Sequence, residues 1–310
     1  MTIIGVVNAA GGVAKSTTAA NLGYGLSGIL AEQNRRVLII DLDPQGDSAS
    51  TMLGLRPNGR CVSKVIDGTS YVTNGKPDLV AAFRANIMPA DRSTEGGPSR
   101  PGLYVLPGSD RIKATKEDLV AQVQQQVNEF IRAGRTDAQN FPTVARLVYS
   151  RLAPLKKMFD VIMLDCPPSS DALEDAIFSL SDFIVTPTVL DFKSVRATLL
   201  LTRRVRDAQQ KGYNTRIAYI LPTMVDARLN LTQSMYKNLE SSGFGDLLVD
   251  PIPRTVSISE GPAVGGLTIL EYAKTQQGAA SATAVAAADA YQLLVNRIYH
   301  EHLEPEAAYA

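Results

Sequence analysis

Short apolar runs recur along this chain, each stopping at a proline, a glycine or an acid. "TIIGVVNA" breaks at Gly11-Gly12, "RRVLIIDLDPQG" ends in a Pro-Gln-Gly turn, and "FDVIMLDCPPSS" ends at Pro167-Pro168. "FIVTPTV", "RIAYILPT" and "DLLVDPIPR" follow the same rule. Continuous rather than alternating hydrophobicity predicts strands covered on both faces. Between them, apolar residues return at helical spacing in "KSTTAANLGYGLSGILAE", over 193–211 and over 277–299. Strands alternating with helices predict an α/β fold, a mostly parallel twisted sheet with helices on both faces. Polar punctuation at the strands' C-terminal ends places a ligand along that edge.

The pattern loosens between about 57 and 155. "NIMPADRSTEGGPSRPG" reads as a surface loop, "KATKEDLVAQVQQQVNEFIRAG" as an amphipathic helix, and "RTDAQNFP" as a polar break. The organisation expected is one domain over residues 1–300 with an insertion at about 57–155. The tail 301–310, "EHLEPEAAYA", is expected to be disordered.

Composition changes this picture in two places. Formal net charge is zero, so contact with nucleic acid must come from a local basic patch. Two cysteines, Cys61 and Cys166, stand far apart and suggest neither a disulfide framework nor a metal cage. "MTIIGVVN" lacks the basic flank of a signal peptide, and no stretch approaches a membrane span. A cytoplasmic protein with no membrane contact is expected.

Chemistry concentrates at the strand ends. In "NAAGGVAKSTT" a strand passes through a glycine turn into a helix that opens with Lys-Ser-Thr. Such a loop presents backbone N–H groups and a helix N-terminus to a polyphosphate; the lysine reaches the terminal oxygens and the hydroxyl ligates Mg²⁺. Gly11, Gly12, Val13, Ala14, Lys15, Ser16 and Thr17 fill these positions, so ATP and Mg²⁺ are the expected ligands. The standard G-x-x-x-x-G-K-[ST] pattern fails at Ala9 and Ala14, and Ala14 is tolerable where the local φ stays negative. Asp41 and Asp43 end the second strand and Asp165 the third, where carboxylates hold a hydrated metal or orient water. Strand-end aspartates also cap turns, but three of them downstream of a phosphate loop favour ATP binding.

These motifs resemble the deviant Walker-box ATPases of the ParA/MinD superfamily over nearly the whole chain, a P-loop NTPase fold. "VVNAAGGVAKSTTAANLGYGL", "VLIIDLDPQGDSAST" and "LKKMFDVIMLDCPPS" are similar to the family's first three motifs. "LPTMVDARLNLT" and "DPIPRTVSISEGPAVGGLTILEY" resemble the C-terminal motifs of partition ParA proteins. The resemblance implies an ATP-sandwich homodimer with slow, partner-stimulated hydrolysis. It implies that Asp43 orients the attacking water, that Asp41 supports Mg²⁺ with Ser16 and Asp165, and that Pro253 and Arg254 lie near the adenosine.

One position departs from the family. Its pattern begins K-G-G-x-G-K, and the first lysine reaches the partner's phosphates; here that position is Ala10. Alanine cannot neutralise charge on a transferred phosphoryl group. The sequence resembles in this respect the McdA-type carboxysome-positioning ATPases, which supply a lysine from the C-terminal half. Lys193 in "VTPTVLDFKSVRA" is the candidate here, because it follows a strand and should emerge at the nucleotide edge; a solvated helix-start lysine is the plainer alternative. Lys156, Lys157 and Arg151 precede a strand and should lie at the opposite edge.

Lys193, Arg196 and Arg203 fall at i, i+3 and i+10 of one helix, with Arg204, Arg206 and Lys211 nearby. That spacing suits phosphate contacts without base reading, and the resemblance implies non-specific DNA binding by the ATP-bound dimer. It also implies nucleoid association and an adaptor of the McdB or ParB type, with a carboxysome or a plasmid as cargo. A first strand starting at residue 2 leaves no helix-turn-helix ahead of it, against operator binding. A MinD-like membrane helix does not fit the acidic C-terminus, and a non-hydrolysing nucleotide switch stays open through Ala10 and Ala14. Cys166 reads as a packed small residue, and His300 and His302 as surface histidines.

Overall fold

A computed structural model gives the fold and describes residues 1–43, 48–137, 141–168 and 172–304. Its strands are β1 (Thr2–Val6), β2 (Val37–Asp41), β3 (Val72–Thr73), β4 (Lys76–Pro77), β5 (Met88–Pro89), β6 (Leu103–Leu106), β7 (Val161–Asp165), β8 (Phe183–Val189) and β9 (Ile217–Thr223). The helices of the first half are α1 (Lys15–Ala31), α2 (Ser48–Met52), α3 (Ser63–Ile66), α4 (Leu79–Asn86), α5 (Ile112–Arg132) and α6 (Val144–Leu152). Those of the second are α7 (Ala172–Leu180), α8 (Phe192–Gln210), α9 (Asn230–Leu239), α10 (Ser257–Gly265), α11 (Ile269–Tyr272), α12 (Gln276–Ala279) and α13 (Ala282–Ile298).

Among the described residues, seven strands form one sheet in the order β5-β6-β2-β7-β1-β8-β9. Every neighbour is parallel except β5, which closes the edge antiparallel to β6. Side chains alternate between two cores, as a strand period of two requires. Ile4, Val6, Val37, Ile39, Val161 and Met163 face α1, α11 and α13. Ile3, Val7, Leu38, Ile40, Ile162 and Leu164 face the layer built from α3 to α8. Covering both faces explains why the strands read as unbroken apolar runs, each large side chain contributing about 1.5–3 kcal/mol by burial. Gly25 lets α1 approach α13, since a Cβ there would sit 2.5 Å from Val295.

The register sets up the ligand edge. Val6 and Asp41 both lie opposite Asp165, so the C-terminal ends of β1, β2 and β7 are level.

Several expectations are corrected. "DLLVDPIPR" is not a strand: it shadows β9 through isolated bridges at Leu248 and Pro253, because Pro251 and Pro253 have no N–H for a ladder. The stretch expected as an insertion supplies β5 and β6 of the main sheet. Within its supposed surface loop, Arg100 is fully buried. Its Nε and Nη2 donate to Glu271 at 2.8 and 2.9 Å, Nη1 donates to the Leu53 carbonyl at 2.8 Å, and Nη2 also reaches the Gly266 carbonyl. The helix expected over 277–299 is split, because Ser281 caps α13 and starts it at Ala282.

The tail does not fray at residue 301. A helical turn over Tyr299–Leu303 buries Leu303, and the Tyr219 hydroxyl donates to Glu301 at 2.6 Å. His302 is no surface histidine either: its ring lies 4.3 Å from that of Phe183. His300 is exposed. The remainder of the expected tail, 305–310, lies outside the described residues.

Candidate functional site

The loop between β1 and α1 turns through two left-handed residues, Gly12 at φ 72° and Ala14 at φ 66°. For Gly12 that conformation is free of steric cost. For Ala14 it is strained by about 1–2 kcal/mol, so the negative φ expected there is not what the loop adopts. The turn is held from three sides. Asn8 accepts from the Ala10 N–H at 2.9 Å, Thr223 at the end of β9 donates to the Val13 carbonyl at 3.2 Å, and Lys15 Nζ donates to the Ala10 carbonyl at 2.8 Å. The N-cap residue of α1, Ala14, makes no side-chain cap, which leaves the first N–H groups of that helix for a ligand. Gly11 and Gly12 are exposed above that opening, Ser16 is half-buried, and Thr17 is buried.

Lys15 is 6% exposed. Burial lowers its pKa, and the charges of Asp165, Cys166 and Asp43 oppose that shift. Asp41 and Asp165 face each other across neighbouring strands, both fully buried. Burial pushes the Asp165 carboxyl well above the usual range; Asp41 and Asp43 push the same way, while the Ser16 hydroxyl and Lys15 pull it down. Ser16 stands close enough to be felt, yet neither Asp165 oxygen has a hydrogen bond of normal geometry among the described residues. Asp41 accepts from the Asp43 N–H at 3.0 Å, and Asp43 is half-buried. Residues 44–47, which follow Asp43, lie outside the described residues.

This donor set is a hydroxyl, carboxylates and a lysine. Among the described residues no group of three or more His, Cys, Asp or Glu is arranged to hold a metal by itself. Mg²⁺ keeps several waters and takes one or two protein oxygens plus phosphate, which a hydroxyl and a carboxylate can supply. The orphaned Asp165 oxygens fit a hydrated cation. Cys166 is buried, its thiol pushed up by burial, with Sγ 3.3 Å from the Leu164 carbonyl; that is packing rather than nucleophilic chemistry.

β8 ends at Val189, and Asp191 caps α8 by accepting from the Ser194 N–H at 2.7 Å. Lys193 is exposed in the first turn of α8, at the same edge of the sheet as the loop. Arg196, Arg203 and Arg206 are exposed further along. Arg204, expected to join them, pairs instead with the buried Glu174 of α7, so it is not part of the free basic face. Pro253 bridges to Val225, and the Arg254 N–H donates to the Val225 carbonyl at 3.0 Å, which puts this segment beside the end of β9. The weaker candidates stand apart. Arg151 is buried and donates to Ile66 and Gln122, while Lys156 and Lys157 lie in the turn ahead of β7.

Sequence reading passed over Asn8 and Thr223. Each is a polar residue closing an apolar run, a signal present in the pattern but shared with ordinary turn residues.

A family model described as an AAA domain matches residues 1–219. The sporulation initiation inhibitor protein Soj of Bacillus subtilis (strain 168) is 29% identical over 274 residues, 86% of this chain and 90% of that protein. A substituted McdA from Cyanothece in complex with ATP shares the fold with a TM-score of 0.68 at 16% identity, over 97% of this chain and 96% of that one. The septum site-determining protein MinD from Pyrococcus horikoshii OT3, complexed with Mg-ADP, gives a TM-score of 0.62 at 18% identity, over 96% and 95%.

Proposed function

The chain belongs to the AAA domain family, in the ParA/MinD group of partition and positioning ATPases, and from that premise we propose that it is an ATP-driven, DNA-tracking positioning ATPase. The observation that carries the reading is the buried Lys15 at the mouth of the loop, near enough to the buried Asp165 for their charges to interact.

Bound Mg²⁺–ATP supplies the transferable phosphoryl group and a countercharge. Gly11, Gly12, Val13, Ala14 and Thr17 offer backbone donors to the phosphates, and Lys15 moves its ammonium from the Ala10 carbonyl onto them. Ser16 and Asp165, with Asp41 in support, hold the hydrated cation. Asp43 orients the attacking water and takes its proton on a carboxylate oxygen. Pro253 and Arg254 flank the base. Lys193, from the facing protomer of an ATP-dependent homodimer, supplies the charge absent at Ala10. Electrostatic stabilisation of this kind is worth about 10²–10³ in rate for one donor.

Arg196, Arg203 and Arg206 then line DNA phosphates without reading sequence. An adaptor protein of the McdB or ParB type stimulates hydrolysis and release, and the chain works in the cytoplasm on the nucleoid. Ala10 together with an exposed Lys193 favours a carboxysome as cargo. Likeness to a chromosome-partitioning ATPase Soj supports plasmid or chromosome partition as the second reading.

The test is binding of random-sequence DNA with and without ATP and Mg²⁺, by wild type and Lys193→Ala, with dimerisation followed in the same samples. Nucleotide-dependent binding is expected, and the variant should lose both dimer and DNA. A variant that dimerises and hydrolyses normally would remove Lys193 from the role. Wild type that binds no DNA under any condition would overturn the DNA-tracking reading.

A further inference from the structure

Asn8 spends every hydrogen-bonding group of its side chain inside the protein, where it is fully buried. Its oxygen accepts from the Ala10 N–H at 2.9 Å. Its two amide hydrogens go to the Pro187 carbonyl in β8 at 2.7 Å and to Thr198 Oγ1 in α8 at 3.1 Å. Thr198, also fully buried, donates its own hydrogen to the Ser194 carbonyl at 3.1 Å, one turn back in α8 beside Lys193. A continuous relay therefore runs from the phosphate loop to the first turn of the basic helix.

The other end of the relay is Lys15. Ala10 is gripped from both sides, its N–H by Asn8 and its carbonyl by the Lys15 ammonium at 2.8 Å. A phosphate entering the loop competes for that ammonium. Once Lys15 lets go, the backbone at Ala10 is held by Asn8 alone, and any adjustment there is passed to Thr198 and Ser194.

We propose that Asn8 is a positioning residue that couples occupancy of the phosphate loop to the placement of the N-terminal turn of α8, through Thr198. The proposal rests on the nucleotide-binding reading of the loop and adds how that site is reported to the basic face. The sheet pairs β1 with β8 at Ile4–Val6 and Phe183–Val185, short of the loop itself. The Asn8 side chain touches loop, β8 and α8 together.

The experiment is hydrogen exchange of a peptide spanning 190–200 in the full chain, with and without ATPγS and Mg²⁺. Wild type, Thr198→Val and Thr198→Ser are compared, each with its nucleotide affinity measured separately. Readings at low and high protein concentration separate the relay from protection by self-association, which depends on concentration. Wild type should show a nucleotide-dependent change in exchange over α8's first turn. Thr198→Val, which keeps the shape and removes the hydroxyl, should bind nucleotide within about twofold of wild type. It should lose about fivefold of the exchange response, the size of one buried neutral hydrogen bond. Thr198→Ser should restore it.

A full response in Thr198→Val overturns the proposal. So does a loss that serine fails to rescue, which would make Thr198 a packing residue only. Wild type that binds nucleotide with no response in α8 refutes the relay alone, whereas wild type that binds no nucleotide refutes the reading beneath it as well.

Discussion

Replacing Asp165 with asparagine should make the nucleotide-free protein more stable at neutral pH while abolishing its response to Mg²⁺–ATP. Asp165 is fully buried, both its oxygens lack a normal hydrogen bond among the described residues, and Asp41 faces it across one strand spacing. Its folded pKa is raised well above the ordinary value of 3.8. A raised folded pKa means that the unfolded chain gives up the proton first as pH rises. The group's contribution is therefore whole below 3.8 and is lost progressively from there towards the folded pKa. Asparagine removes that loss, and its amide can donate to Asp41. A buried polar group left unmet costs about 1–3 kcal/mol. Lys15, which loses a counter-charge in the variant, takes back part of the gain. The net expectation is about 1–2 kcal/mol, or about 2–4 °C in melting temperature for a chain of this size.

The assay is thermal unfolding of both proteins with a chelator and no nucleotide, at pH 4 and at pH 7.5. The variant's advantage should be near zero at pH 4 and full at pH 7.5. Mg²⁺–ATP at about 100 times its Kd should then raise wild type by about 2.7 kcal/mol and leave the variant unmoved. A variant no more stable than wild type at pH 7.5 would refute the reasoning, since Asp165 would then be satisfied without a cation.

Two further outcomes follow from the same geometry. Ala14→Gly relieves a left-handed alanine, a gain of about 1–2 kcal/mol offset by about 0.5–1 kcal/mol of unfolded-state entropy. Chemical denaturation should show a net stabilisation of a few tenths to about 1 kcal/mol, with nucleotide affinity not reduced. Glu271→Gln strips the counter-charge from the fully buried Arg100 and should destabilise by about 3 kcal/mol. Combining it with Arg100→Met should recover part of that loss in a double-mutant cycle.

The central strands were legible because burial on both faces writes itself as unbroken apolar runs, and the loop because glycine, lysine and hydroxyl must follow a strand in that order. Where the sequence reading failed, a residue's role was decided by a distant partner. Arg100 sits among Pro, Gly and Ser and looks solvated, yet Glu271, far along the chain, draws it into the core. Arg204 belongs to the helical basic stripe by spacing and leaves it because Glu174 is within reach. "DLLVDPIPR" has a strand's hydrophobicity, but two prolines withhold the donors that a ladder needs. The end of the chain looked polar enough to fray, and Tyr219 with Phe183 provides a surface for it that no local pattern announces.

The backbone at position 10, where the family pattern has lysine, is held in place by its neighbours. Ala10 is only 4% exposed, and its N–H and carbonyl are both engaged, by Asn8 and by Lys15. Alanine brings no charge to that point, so a countercharge there has to arrive from another element. Lys193 satisfies three conditions together: it is exposed, it stands at the C-terminal edge of the sheet, and its helix is tied to Ala10 through Asn8 and Thr198. Arg151, Lys156 and Lys157 fail the second condition, since they precede β7 rather than follow a strand. A cation on α8 also has a property that one on the loop lacks. Under the proposed relay its position depends on what the loop holds, so that a charge used across a dimer would be presented only when there is nucleotide to share.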